Sequence, residues 1–165
     1  YVMKEYLQQV LDSGAFVAVE VHPSEIVTAP WVVMKCRYGC PRYGHNRSCP
    51  PFAPGWQETR VILESYRRAI IFGVRSMSAG TPLALKLMRA LGQGGYYRAI
   101  GFGTGPCTRC EECRLADCPH PAEVLPSPEA CGIDVVATVR RAGLPIDVPP
   151  RPGEPMACYA IVLAD

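Results

Sequence analysis

Nine cysteines stand in this chain of 165 residues, and seven of them fall in two short clusters. A thiolate can act as a nucleophile, as half of a disulfide or as a soft metal ligand, so spacing has to decide among these roles. An odd count leaves at least one thiol unpaired in any all-disulfide scheme. The opening residues, Tyr1 to Gln9, are polar and mixed, and no signal-peptide pattern is visible in them. In a chain that is not secreted, clustered thiols point to metal rather than to disulfides.

The later cluster is the sharper one. Cys107, Cys110, Cys113 and Cys118, followed by Pro119, give C-x2-C-x2-C-x4-C-P. Bacterial ferredoxins use C-x2-C-x2-C-x3-C-P, one residue shorter in the last gap. Each iron at the corners of a cubane takes one thiolate, so a tight loop can serve one iron after another. A single zinc is served better by two separate C-x2-C knuckles, because its four thiolates must converge on one point. The expectation is a 4Fe-4S cluster, with zinc as the alternative. Since the cysteine before proline can ligate a different cluster in ferredoxins, the assignment of Cys118 stays open. A cluster that only staples a Gly/Pro-rich loop is the structural alternative to a redox role.

Cys36, Cys40 and Cys49 form the earlier cluster, C-x3-C-x8-C, with Pro50-Pro51 behind it. Three thiolates leave one coordination position unexplained. A distant residue could fill it, and Cys131, Cys158, Cys118 and His45 are the candidates. Alternatively, one iron is left open to substrate or solvent. From Ile26 to Gln57 there is no acidic residue, while Lys35, Arg37, Arg42 and Arg47 lie there. Arg37, Arg42 and Arg47 are therefore candidates to neutralise an anionic cluster or to hold a small anionic substrate. An ordinary solvated basic loop is the plainer alternative.

Cys131, in Glu129-Ala-Cys-Gly-Ile-Asp, is expected at the start of a helix, where the dipole would favour thiolate and make it a candidate metal ligand; a small buried core residue is the equal alternative. Cys158, in an apolar run, is expected in the core. His120 follows the second cluster and could ligate or donate a hydrogen bond to sulfide, whereas His22 is expected in a loop. Gly101-Phe-Gly-Thr-Gly-Pro matches neither the Walker pattern nor G-x-G-x-x-G. Gly105-Pro106 is expected to be the turn that lets backbone approach a cluster.

The elements that must position these residues are mixed. Val2–Leu11, Trp56–Arg67, Pro82–Leu91 (with Thr81 as N-cap) and Glu129–Ala142 have helical spacing. Ala15–Val21, Trp31–Met34, Ala69–Val74, Tyr96–Phe102 and Ala157–Leu163 are expected strands, the second running directly into Cys36. With 17 Pro and 15 Gly, much of the remainder must be turn and loop. These elements predict an α+β fold over residues 1–165: one domain, a mixed sheet, flanking helices and two cysteine-rich loops. Hydrophobic residues make up 48% and charged residues 19%, which excludes a disordered chain. A net charge of +2 gives no argument for nucleic acid. No apolar run approaches the roughly 20 residues that a membrane helix needs, so a cytoplasmic protein is expected.

Cys36-Arg-Tyr-Gly-Cys40-Pro-Arg-Tyr-Gly, Ser48-Cys49-Pro-Pro, Gly105-Pro106-Cys107-x2-Cys110-x2-Cys113, Cys118-Pro and Glu129-Ala-Cys131-Gly-Ile-Asp-Val occur in that order. Together they resemble a bacterial and archaeal family described only as predicted metal-binding proteins of unknown function. The resemblance spans roughly residues 30 to 145. It departs where an Arg-Pro-Ser-Met-like stretch is expected and Leu125-Pro-Ser-Pro128 stands instead. It implies metal at the cysteine loops and assigns no reaction. The expected function is thus a small iron–sulfur protein with one or two 4Fe-4S clusters, working in electron transfer with a redox partner protein or in redox support of a larger enzyme. An enzyme with an open iron at Cys36/Cys40/Cys49, acting on a small anionic substrate, is one alternative. A zinc-stabilised binding module is the other.

Overall fold

The structure, a computed structural model, describes residues 2–165. Tyr1, the first residue of the expected domain, lies outside them. The framework is a four-stranded sheet of β1 (Val17–Val21), β2 (Arg68–Val74), β3 (Ile100–Phe102) and β4 (Cys158–Ala164), in the order β1-β2-β4-β3. Expected as mixed, the sheet is antiparallel at each pairing. Among the described residues there are five α-helices, α1 (Val2–Asp12), α2 (Pro30–Gly39), α3 (Trp56–Glu64), α4 (Met77–Gln93) and α5 (Val135–Arg141), so the arrangement is α+β.

Strand periodicity divides the apolar residues between two faces. Ile70, Phe72 and Val74 of β2, with Ala160, Val162 and Ala164 of β4, point to the side covered by Met3, Tyr6 and Val10 of α1 and Leu83, Leu87 and Leu91 of α4. Ala69, Ile71, Tyr159, Ile161 and Leu163 point the other way, onto Leu63 of α3 and Val135 and Val139 of α5. β2 and β4, buried on both faces, are the sheet's centre. The cysteine loops leave this framework at the end of α2 and just beyond β3.

Several expectations change at the elements nearest the cysteines. Trp31–Met34 is helix rather than strand. Ala29 is extended and Pro30 takes the first helical position, where its missing N–H costs nothing. The β-branched pair Val32-Val33 suggested a strand, but only Val32 is buried, while Trp31 and Met34 are exposed. Cys36 therefore sits in the last turn of a helix, and its carbonyl accepts the amide of Cys40, the C-cap.

α4 begins at Met77 after Ser76, five residues before Pro82, which lies inside it. Proline costs little there because only about one turn precedes it, and the carbonyl it leaves unpaired, on Ser78, is on an exposed residue. Thr81 is consequently no N-cap. Its Oγ accepts the amide of Thr104 at 3.1 Å, tying the helix to the segment that leads to Cys107.

The strand expected over Tyr96–Phe102 is confined to Ile100–Phe102. Glu129–Ala142 is not continuous helix: a 3-10 turn, Glu129–Cys131, ends at Gly132 with φ +79°, and α5 starts only at Val135. A Cβ at Gly132 would meet the Cβ and backbone of Trp56 at 2.5 and 3.0 Å, so both the turn and the close approach demand glycine. Asp134, not Ser or Thr, caps α5 by accepting the amide of Ala137. Among the described residues no helix is long and apolar enough to cross a membrane.

Candidate metal centre

The second cluster is a chain of turns ordered by few regular hydrogen bonds. Gly105 enters it with φ +67°, and a Cβ there would strike the Met77 side chain at 2.5 Å. The glycine therefore provides both the turn expected of it and close packing on α4. Beyond it, Cys107, Cys110, Cys113 and Cys118, with His120, line one small cavity of about 20 Å³. All four thiol residues are half-buried. Two backbone amides point at their sulfurs: Arg47 N–H donates to Cys113 Sγ at 3.3 Å, and His120 N–H donates to Cys118 Sγ at 3.4 Å. Such bonds stabilise thiolate and are the kind received by sulfur ligands of metal centres.

Donor chemistry thus suits a soft metal or an iron–sulfur cluster. The cavity has room for about one water molecule, so a cubane requires the thiols to turn outward. Among the described residues no three His, Cys, Asp or Glu side chains are drawn together closely enough to hold a single ion.

The first cluster is built differently. Cys36 lies in the last turn of α2 and Cys40 is its extended C-cap; both border one cleft, and Cys49 returns to them from a turn. Burial raises the Cys36 thiol, and repulsion from Cys40, Cys49 and Glu129 adds to it. Burial also raises Cys49. Ser48 and Arg42 oppose that rise, while Cys40 and Cys113 add to it. Cys49 is therefore within electrostatic reach of both clusters. Cys36 and Cys40 open onto a largely apolar cleft of about 470 Å³, where Trp31, Glu129 and Cys158 also stand.

A clamp joins the two loops. Asn46 and Ser48, both buried, grip the backbone of Cys107 from either side. Asn46 Nδ2 donates to Cys107 O at 2.8 Å, and Cys107 N–H donates to Ser48 Oγ at 2.9 Å. Asn46 Oδ1 in turn accepts from both the amide and the hydroxyl of Ser48. The sequence carried no local signal for this pair, since the partners are separated by 61 and 59 positions. The nearest hint was polar residues placed directly before Cys49.

Cys131 departs from its expected setting. It closes a 3-10 turn instead of opening a helix, and it is wholly buried. Burial pushes its thiol up to about 12, with Glu129 and Glu58 adding and a Thr59 hydrogen bond opposing. The dipole-lowered thiolate expected from sequence is therefore corrected. Cys131 does not line the cleft of Cys36 and Cys40, whereas Cys158, expected in the core, does. Cys158 is only half-buried, at the start of β4.

The three arginines separate. Arg37 lies over the Tyr38 ring at 5.5 Å. Arg47 gives its guanidinium to Leu115 O at 3.1 Å, so that it stitches the first loop to the second. Leu115 holds φ +52°, a conformation that is costly outside glycine. Arg42 reaches toward Cys49 and borders a further cavity beside Cys107. His22 caps a 3-10 turn through Ser24 N–H, in keeping with its expected loop position. His45 is exposed, and His120 Nδ1 lies 3.7 Å from Glu123.

No curated protein and no solved structure matches the chain. One family model does, over residues 19–164, and that span contains every cysteine and the clamp between the two loops. The chain belongs to the family of predicted metal-binding proteins DUF2284.

Proposed function

We propose that this protein is an iron–sulfur electron carrier. In this reading Cys107, Cys110, Cys113 and Cys118 hold one 4Fe-4S cluster, and Cys36, Cys40 and Cys49 provide three ligands of a second. The observation that carries it is four thiols around one cavity, two of them already accepting backbone amides. A bound cluster would supply one-electron chemistry. The chain's own residues do the rest. Arg47 and His120 amides stabilise thiolate, and the Asn46–Ser48 clamp fixes the Cys107 segment against the first loop. Arg42 offsets negative charge at Cys49.

Reach between Cys49 and Cys113 supports exchange between the two sets, and the exposed Cys40 end supports transfer to a redox partner protein. For the missing ligand of the first set, Cys158 is the better-situated donor, because it faces the cleft of Cys36 and Cys40. A cytoplasmic setting, where thiols stay reduced, belongs to the same reading.

The test is anaerobic purification with iron supplied, followed by metal and sulfide analysis, visible absorption and electron paramagnetic resonance. Brown protein with iron and sulfide near four or eight per chain is the expected result. Colourless protein with stoichiometric zinc would overturn it and favour a zinc-stabilised binding module, since zinc is d10 and has no visible bands.

A further inference from the structure

A second large cavity, about 460 Å³, lies between α4 and the second cysteine loop. Ser78, Thr81, Pro82, Leu85 and Arg89 form one wall, and their spacing puts them on a single face of α4. Pro106 to Arg109 form the opposite wall, and Leu125 and Glu123 close one end. The wall is braced: Thr104 Oγ donates to Met77 O at 2.6 Å, and Thr104 N–H donates to Thr81 Oγ at 3.1 Å. Gly80 makes room for this brace, because a Cβ there would lie 2.1 Å from Thr104 Oγ.

Its chemistry is two-sided. Met77, Pro82, Leu85, Pro106 and Leu125 give an apolar floor. Arg42, Arg89 and Arg109 stand at the edge against one carboxylate, Glu123. Arg109 is engaged by Glu123 at 2.8 Å. Arg42 and Arg89 have no carboxylate partner among the described residues, which leaves two guanidinium groups beside an apolar hollow. A cavity of this size with few convergent polar groups is the usual form of a small-molecule site. Guanidinium groups match carboxylate in planar, paired hydrogen bonds. Gly101-Phe-Gly-Thr-Gly-Pro, which borders the cavity, matches neither phosphate-binding pattern, and its Gly103 and Gly105 serve close packing on Thr81 and Met77.

We propose that this cavity binds an organic carboxylate with an apolar body. Its charge pairs with Arg42 and Arg89, and its body rests on Pro82, Leu85 and Leu125. The site adjoins Cys107, so a bound carboxylate lies next to whatever the second thiol set holds, and the proposal is independent of which metal that is.

The probe is octanoate, titrated calorimetrically into anaerobically purified full-length protein of measured metal content, with 1-octanol and acetate as controls. Saturable one-to-one binding of octanoate is expected, at least tenfold tighter than either control. Each methylene removed from the probe weakens binding about three- to fourfold. Arg89→Ala weakens octanoate at least tenfold with metal content unchanged, and Arg89→Lys recovers part of the loss; Arg42→Ala also weakens octanoate at least tenfold, counted per metal-loaded chain because Arg42 stands beside Cys49 as well. Leu85→Glu, which places charge on the floor, abolishes binding. Absence of saturable octanoate binding, equal binding of octanol, or wild-type affinity in both arginine variants would overturn the proposal. Zinc in place of iron would overturn the electron-carrier reading and leave this result standing.

Discussion

The two cysteine clusters are neighbours made by opposite means. The first is mounted on regular structure: a helix end delivers Cys36 and Cys40, and a turn brings Cys49 back to them. As thiolates its sulfurs would repel one another, and the charge near them comes from side chains such as Arg42 and Glu129. The second is mounted on irregular chain, and its sulfurs receive backbone amides donated by Arg47 and His120. Amides are fixed dipoles that cost no desolvation of a charge, whereas a guanidinium can swing away into solvent. The second set is thus organised for thiolate by backbone amides, one from its own loop and one lent by Arg47 of the first loop. The first set depends instead on the side-chain charges around it.

The hardest test of that contrast is removal of one ligand from each side. Cys107→Ser should remove all metal held by the second set and leave the first set loaded. Cys40→Ser should do the reverse. Metal and sulfide per chain are the measurement, and if either change empties the protein, the two sets are one cooperative site. Cys158→Ser should behave like Cys40→Ser if it is the fourth donor, while Cys131→Ala should keep full metal.

The clamp between the sets comes next in size. Asn46→Ala removes three hydrogen bonds, two of them buried, and leaves Cys107 O without this partner, at a cost of about 2–4 kcal/mol in urea unfolding. Because the clamp serves both loops, metal loss should accompany it at the second set before the first. Stability unchanged within about 0.5 kcal/mol would mean that the loops are held by metal alone.

The framework was legible where local pattern and burial agree. The apolar runs of β2 and β4 are buried on both faces and were recognisable as strands, and α1 has the spacing of a half-buried helix. α2 was not legible, because Val32-Val33 carries strand propensity while Pro30 and the packing of one face decide for helix. The cysteines themselves were legible as clusters from spacing, but the clamp was not. Asn46 and Ser48 act across some sixty positions, and no periodicity records a contact of that range. Cys131 misled for a related reason. Its neighbour Gly132 looked like a helix residue in a helical pattern and is instead the left-handed turn that ends it.

That turn gives the next prediction. Gly132→Ala adds a Cβ against Trp56 backbone and forces a side chain into positive φ, and should cost about 2–4 kcal/mol, read by thermal or urea unfolding. Gly143, also at positive φ but with open space around its would-be Cβ, should cost only about 1–2 kcal/mol on the same substitution. Equal costs would show that backbone conformation, rather than contact with α3, sets the demand for glycine at Gly132.

A further contrast concerns Cys131 and is read as a slope. Its thiol is pushed up to about 12 by burial, above the ordinary thiol value near 8.5 that the unfolded chain would show. Between these values the folded state keeps a proton that the unfolded state has lost. Stability therefore falls as pH rises through that window, by at most about 1.4 kcal/mol per pH unit from this group, and is unaffected by it below the unfolded value. Cys131→Ala removes the group, so its unfolding free energy should fall less steeply from pH 9 to 11 than that of the parent protein. Metal-free protein is the right sample, since the clustered thiols then titrate equally in both. Iodoacetamide gives a second readout: at pH 8 the folded protein should label at the exposed Cys40 and not at Cys131, where thiolate is scarce and access is closed. Ready labelling of Cys131 in the folded state would return it to the reactive thiols of the first set, and would erase the distinction between a thiol that supports the fold and thiols that face the cleft.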